Sequence, residues 1–231
     1  MKDIELLKEL RTYPMFTVND LAKISGKEPG YVAVLIKRLL DRKLVHRIER
    51  GKYTLHEDPL VFSSHIKYPS YISLWSALRF HNMTTQLPNT VFVCTPASKN
   101  NIKFLGTDII FVKNHHFWGY EKYTHDGFEI FVSDREKTLI DCILTGEVPL
   151  HEAAEAVKEV ESEKIIEYAK KTKNTSLIKR TGYLLEVNGE KHKDLLKWVK
   201  YPYTVLDKQL KKEGIRNHKW KLIINNKEYK Y

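Results

Sequence analysis

Four carboxylates stand close together in the middle of the chain: Glu129, Asp134, Glu136 and Asp141. Clustered carboxylates can hold a divalent metal and so support phosphodiester hydrolysis. Three of the four have simpler uses. Ser133-Asp134-Arg135-Glu136 reads as a capping box that opens a helix. Asp141 follows Lys137 by four residues, the spacing of a helical ion pair. Glu228-Tyr229-Lys230 has the form of half a nuclease motif, at the extreme end of the sequence. His115 and His116 are adjacent, and adjacent strand residues point to opposite faces, so they do not share one ion. Cys94 and Cys142 are far apart in apolar surroundings, which fits buried structural thiols better than a disulfide framework or a zinc site. No GxxxxGK(S/T), GxGxxG, GxSxG or HExxH pattern occurs. Nor is there a Gly-Ser followed by a paired Asp-x-Asp, which a nucleotidyltransferase uses for its metals. The residues therefore predict no enzyme, no metal and no cofactor.

The cations carry the stronger signal. The 231 residues have a formal net charge of +10, which favours a polyanionic partner. Residues 1–57 hold 12 basic and 8 acidic residues, residues 58–160 hold 9 and 12, and residues 161–231 hold 18 and 9. The excess thus sits at the two ends. In the first segment it concentrates between Lys23 and Lys52, with 9 basic and 3 acidic residues. In the last it suggests a second basic face with Lys170, Lys171, Lys173, Lys179 and Arg180, to be weighed against an ordinary solvated surface.

Those N-terminal cations fall on a recognisable order of elements. Ile4, Leu6, Leu7 and Leu10 have helical spacing, and Pro14 ends that helix. Thr17 with Asp20 imitates a capping box, Leu21, Ala22 and Ile24 form a short apolar face, and Gly26 stops it. Pro29 suits the first turn of a further helix, in which Val32, Leu35, Ile36 and Leu39 face inward. Two alternating runs around Arg50-Gly51 predict a β-hairpin. Three helices and a hairpin in this order predict a winged helix-turn-helix over residues 1–57. Its second helix-turn-helix element would enter the major groove of double-stranded DNA. The positions left to read DNA are Lys27, Tyr31, Lys37 and Arg38, with Arg47, Arg50 and Lys52 on the hairpin.

A linker is expected over 58–69, with Leu60-Val61-Phe62 as a short strand or packing segment between Pro59 and Pro69. A mixed α/β domain is expected over 70–231, so the fold class is α+β. Ser70 is expected to cap a helix from Tyr71 to His81. Strands are expected near 91–94, 102–105, 109–112, 117–123 and 128–132, followed by helices from Leu150 to about Val199 and a last strand at 220–224. The start, Met1-Lys2-Asp3-Ile4-Glu5, has no apolar leader, and no run of about 18 apolar residues suits a membrane span. A cytoplasmic protein is expected.

Several of these segments together resemble the AbiEi antitoxin family of predicted transcriptional regulators of viral defence systems. They are Ile48–Tyr53, Tyr71–Asn82, the strand region 90–112, Ser133–Ile143, Lys179–Glu186 and Gly214–Asn225. The resemblance implies a repressor that binds inverted repeats in its own promoter through the winged helix. It also implies a C-terminal domain that counteracts a nucleotidyltransferase-type toxin. It assigns no catalytic residue. Tyr71–Leu78 and Glu136–Asp141 are expected to be apolar core. Lys43 departs from the family pattern, which often has Gly there. A regulator without a toxin partner and a winged helix fused to a metal-dependent nuclease are the competing readings.

Overall fold

The computed structural model describes residues 3–190 and 192–229. It is a mixed α+β protein that divides into two compact units. The first holds the chain as far as Ile72, then Pro88–Phe117 and Glu121–Val132; the second holds Ser73–Leu87, Trp118–Tyr120 and the chain from Ser133.

The first unit begins with α1 (Asp3–Leu10), β1 (Phe16–Thr17), α2 (Val18–Ser25), α3 (Pro29–Asp41), β2 (His46–Glu49) and β3 (Lys52–Thr54). The predicted cap of α2 forms. Thr17 Oγ1 accepts the Asp20 N–H at 3.2 Å, and Asp20 Oδ2 accepts the Thr17 N–H at 2.9 Å. Gly26 ends α2 at φ 65°, a left-handed conformation that glycine adopts without steric cost. Leu6, Leu10, Leu21, Val32, Leu35, Ile36 and Leu39 bury one face of each helix in a common core with Phe16 and Val45. The three strands form a small antiparallel sheet in the order β1-β3-β2.

No free linker follows. Leu60–Ser63 is a helical turn, α4, and Val61 and Phe62 are buried with the hairpin residue Ile48 and with Val91, Val93 and Phe111. The apolar triplet between Pro59 and Pro69 is core, so residues 58–69 belong to the unit they were expected to leave. Next come β4 (Tyr71–Ile72), α5 (Leu74–Phe80), β5 (Thr90–Thr95), β6 (Ile102–Phe104), β7 (Thr107–Lys113), β8 (Tyr120–His125) and β9 (Phe128–Ser133). The strands make one mixed sheet in the order β6-β7-β5-β4-β9-β8. Asp126-Gly127 turns β8 into β9 with φ 48° and 82°, as a tight hairpin requires. Ser70 does not cap a helix: its hydroxyl donates to Ser64 O at 2.9 Å, Tyr71 and Ile72 are strand, and the helix starts only at Leu74.

The rest of the chain is α6 (Arg135–Thr145), α7 (Leu150–Ala156), a 3-10 turn, α8 (Ser162–Lys171), α9 (Thr175–Val187), α10 (Lys193–Leu196), β10 (Thr204–Val205), β11 (Ile215–Asn217), β12 (Leu222–Ile224) and a last 3-10 turn. The last three strands form a separate sheet, β10-β12-β11. Asp134, not Ser133, caps α6, its carboxylate accepting the Lys137 N–H at 2.7 Å. Glu136 is thereby freed from the predicted capping box and pairs instead with Lys164 at 2.8 Å. Trp220 packs on α9 where there is no side chain: a Cβ on Gly182 would fall 2.2 Å from its ring. No helix among the described residues is long and apolar enough to cross a membrane.

Candidate nucleic-acid interface

The α3 pattern sorts its residues cleanly. With Val32, Leu35, Ile36 and Leu39 buried, the opposite face leaves Tyr31, Ala33, Val34, Lys37 and Arg38 exposed. Tyr31 is 53% and Val34 50% exposed, large apolar groups on a face already rich in cations. Lys27, in the turn before the helix, places its ammonium 5.8 Å from the Tyr31 ring centroid. The helix begins at Pro29 without a side-chain cap, so its first N–H groups remain open for an acceptor.

The hairpin adds Arg47 and Arg50, both exposed. Gly51 at φ 81° lets Arg50 sit at the tip of a tight turn. Lys27, Lys37, Arg38, Arg47 and Arg50 have no ion-pair partner among the described residues.

Lys52 differs from this set. It is half-buried, pairs with Glu49 at 2.9 Å and donates to Ile66 O. Lys99 closes on the same carboxylate at 2.6 Å. Burial alone would push the Glu49 carboxyl up, but the Lys99 and Lys52 ammoniums outweigh it and hold the group below its ordinary range. Lys52 therefore braces the hairpin and is less available than the other predicted DNA-reading residues. Lys43 is the reverse case: it adopts φ 55°, the left-handed conformation that explains why a glycine suits this turn.

The expected second basic face loses two members. Lys170, Lys171 and Lys173 lie at or near the surface, with the Lys171 ammonium 4.8 Å from the Trp118 ring centroid. Lys179 and Arg180 are interior, 1% and 6% exposed. Lys179 donates to Pro202 O at 2.6 Å, and Arg180 Nε donates to Val205 O at 2.9 Å and Leu206 O at 3.1 Å. Burial, then the Arg180 and Lys221 charges, push the Lys179 ammonium down. These two cations fasten the last sheet to α9 and are not available to a ligand.

The four central carboxylates are likewise accounted for singly. Glu129 pairs with Lys122 at 3.0 Å. Asp134 caps α6 and accepts the Tyr168 hydroxyl at 2.8 Å. Glu136 pairs with Lys164, and Asp141 joins Lys137 in an ion pair of which both side chains are fully buried. Asp141 also accepts the Ser73 hydroxyl at 2.8 Å, and Ser133 extends the chain of hydroxyls to Ser73 and Thr138. The segments expected to be apolar core are thus core, but with a satisfied ionic network at the centre. Cys94 and Cys142 are buried and not joined in a disulfide. Glu228 is exposed, Tyr229 is half-buried with its carbonyl accepting the Tyr183 hydroxyl, and Lys230 lies outside the described residues. One group among the described residues has metal-ligand spacing: single donor atoms of Asp58, His125 and Asp126 lie within 4.8 Å of one another. Asp58 there already accepts from His125 Nε2 at 2.7 Å and from the Leu60 N–H at 2.9 Å.

No family model and no curated protein matches the sequence. In fold, the chain is similar to a solved structure, the crystal structure of the RV2827C protein from Mycobacterium tuberculosis. The match has a TM-score of 0.63 and covers 94% of this chain and 89% of that one, at 14% identity. The likeness is one of fold and extends along both chains.

Proposed function

We propose that this protein is a DNA-binding transcriptional repressor of its own operon. We further propose that it is an antitoxin counteracting a nucleotidyltransferase-type toxin in an abortive-infection, viral-defence system. On this reading residues 3–54 are a winged helix-turn-helix with α3 as recognition helix and β2–β3 as wing. The observation that carries it is the set of five exposed cations, Lys27, Lys37, Arg38, Arg47 and Arg50, with no ion-pair partner among the described residues. Lys52, by contrast, serves the wing's own structure. An α-helix fits the major groove, where Lys37 and Arg38 reach phosphates or base edges and Tyr31 offers an apolar contact. Arg50 at the wing tip suits a phosphate or a narrow minor groove. An inverted repeat would take two copies related by a two-fold axis.

The antitoxin half rests on the resemblance to AbiEi proteins. The buried networks add a reason why its segments recur together. Lys179–Glu186 and Gly214–Asn225 contact one another through Gly182, Glu186 and Trp220, with the Trp220 indole donating to Glu186 at 2.8 Å. Ser73–Asn82 and Ser133–Ile143 meet through Ser73, His81, Ser133 and Asp141. Through these contacts the segments specify a fold.

Footprinting on the DNA upstream of the chain's own operon tests the repressor. A protected inverted repeat is expected, weakening steeply with salt. No protection at any salt would refute it. Co-expression with the product of a neighbouring reading frame that encodes Gly-Ser and a paired Asp-x-Asp tests the antitoxin. Growth should be restored, and continued growth arrest would leave a regulator alone.

A further inference from the structure

We infer that the loop-and-sheet region around β10–β12 binds single-stranded nucleic acid, through an aromatic ridge edged by cations. This surface is separate in sequence from the proposed duplex-reading helix and does not depend on it. Residues 193–221 hold nine basic and three acidic residues. Of the three acids, Asp194 is paired with Lys197 at 3.1 Å and Asp207 is buried. A strongly positive field is therefore left for a polyanion.

The arrangement of rings says which polyanion. Tyr201 is 72% exposed, and Trp198 nearby in sequence is 40% exposed. Tyr201 and Tyr203 stand edge to face, ring centroids 5.8 Å apart. Tyr203 is fixed by a 2.7 Å hydrogen bond between its hydroxyl and His218 Nδ1. Lys221 lies over both rings, its ammonium 4.7 Å from the Tyr201 centroid and 5.5 Å from that of Tyr203, and it donates to the Tyr201 hydroxyl at 3.3 Å. Arg216 lies over Tyr203 at 5.5 Å. Lys221 takes this position from a left-handed backbone, φ 51°, that a lysine adopts only at a cost. Neither Arg216 nor Lys221 has a carboxylate partner among the described residues.

An exposed ring beside cations matches unpaired bases and their backbone. A base stacks on the open face of Tyr201 while Arg216 and Lys221 meet the flanking phosphates. A duplex keeps its bases stacked on one another and gains nothing from the ring. An acidic protein surface would use the cations but leave the exposed tyrosine unexplained.

Fluorescence anisotropy of the full-length protein with fluorescein-labelled oligo(U) and oligo(dT) dodecamers tests this, with a 12-base-pair duplex and polyglutamate as controls. Tyr201→Leu should weaken both single strands at least tenfold, and Tyr201→Phe should stay within twofold of the unchanged protein. Circular dichroism should show the same fold, since Tyr201 is mostly exposed. Arg38→Ala should weaken the duplex and cost single-strand affinity far less than Tyr201→Leu does, which separates this surface from the proposed duplex-reading helix. Tighter binding of oligo(U) would identify RNA as the source of the strand, and tighter binding of oligo(dT) would identify DNA. Unchanged affinity in Tyr201→Leu, absence of saturable single-strand binding, or equal displacement by polyglutamate would overturn the inference.

Discussion

Helices α3 and α9 are both 13 residues long, and each carries a Lys-Arg pair, Lys37-Arg38 in one and Lys179-Arg180 in the other. The first pair is exposed with no partner carboxylate among the described residues, and the second is interior and bonded to three backbone carbonyls. The dipeptide is the same, and the surrounding residues decide its use. In α3 the apolar positions recur at three and four residues and cover one face only. In α9 every residue from Leu177 to Leu185 is buried, so the helix has no solvent face on which the pair could lie. A cation left in water is available to a partner, whereas a cation enclosed by carbonyls holds the chain together. That difference divides the charge of +10 into an exposed part and a structural part.

Substitutions in the two pairs should therefore diverge. Arg180→Ala strands two carbonyls and empties the space of a long side chain, so it should cost about 3 kcal/mol of folding stability. Lys37→Ala and Arg38→Ala should each change stability by less than about 0.5 kcal/mol. Urea unfolding of the three variants measures this, and equal losses would erase the distinction. A second perturbation of the α9 side is Gly182→Ala. Its Cβ would meet the buried Trp220 ring at 2.2 Å. Displacing that ring should cost about 1–3 kcal/mol and shift the tryptophan emission to the red.

The N-terminal half of this contrast was legible in the sequence, since a one-sided helix announces which residues face out. The strands from 90 to 132 and the α2 cap were legible for the same reason, being local patterns. The α9 pair was not. Burial of Lys179 and Arg180 depends on β10 and the backbone near Pro202, more than 20 residues away, and neither β10 nor β11 has a strand-like run of its own. The bracing of Lys52 was not legible either, because the Ile66 carbonyl and the Lys99 that shares Glu49 with it are likewise distant in sequence. The shift of the α6 cap from Ser133 to Asp134 follows from Ser133 being the last residue of β9, where its hydroxyl serves Ser73 and Thr138.

Acid should weaken both units through different groups. Burial pushes His81 below its ordinary 6.5, despite its 2.6 Å hydrogen bond to Ser133 O. The unfolded chain then binds the proton first, so stability falls as the pH drops below 6.5. Burial raises Glu49 and Glu136, but their lysine partners hold both below 4.5. Their contribution is complete above 4.5 and is lost as the pH falls through the folded values. The urea midpoint should decline gently below 6.5 and steeply below 4.5. His81→Gln should flatten the first limb alone, and an unchanged first limb would assign it to another group.

A modest gain is expected at Lys43. Glycine relieves the left-handed backbone but loosens the unfolded chain, so Lys43→Gly should raise stability by up to about 1 kcal/mol. A loss of stability would show that the Lys43 side chain contributes packing that its exposure does not suggest.

The central claim is that the unpaired cations of α3 and the hairpin tip read duplex DNA. The direct measurement is the affinity for the operon's own upstream duplex across a salt series, comparing Arg38→Ala, Arg50→Ala and Lys52→Ala with the unchanged protein. Arg38→Ala and Arg50→Ala should weaken binding about tenfold each and flatten the salt slope by about one phosphate contact. Lys52→Ala should lower stability and affect affinity less than either. A salt slope and an affinity that are the same in Arg38→Ala and Arg50→Ala as in the unchanged protein would contradict the account.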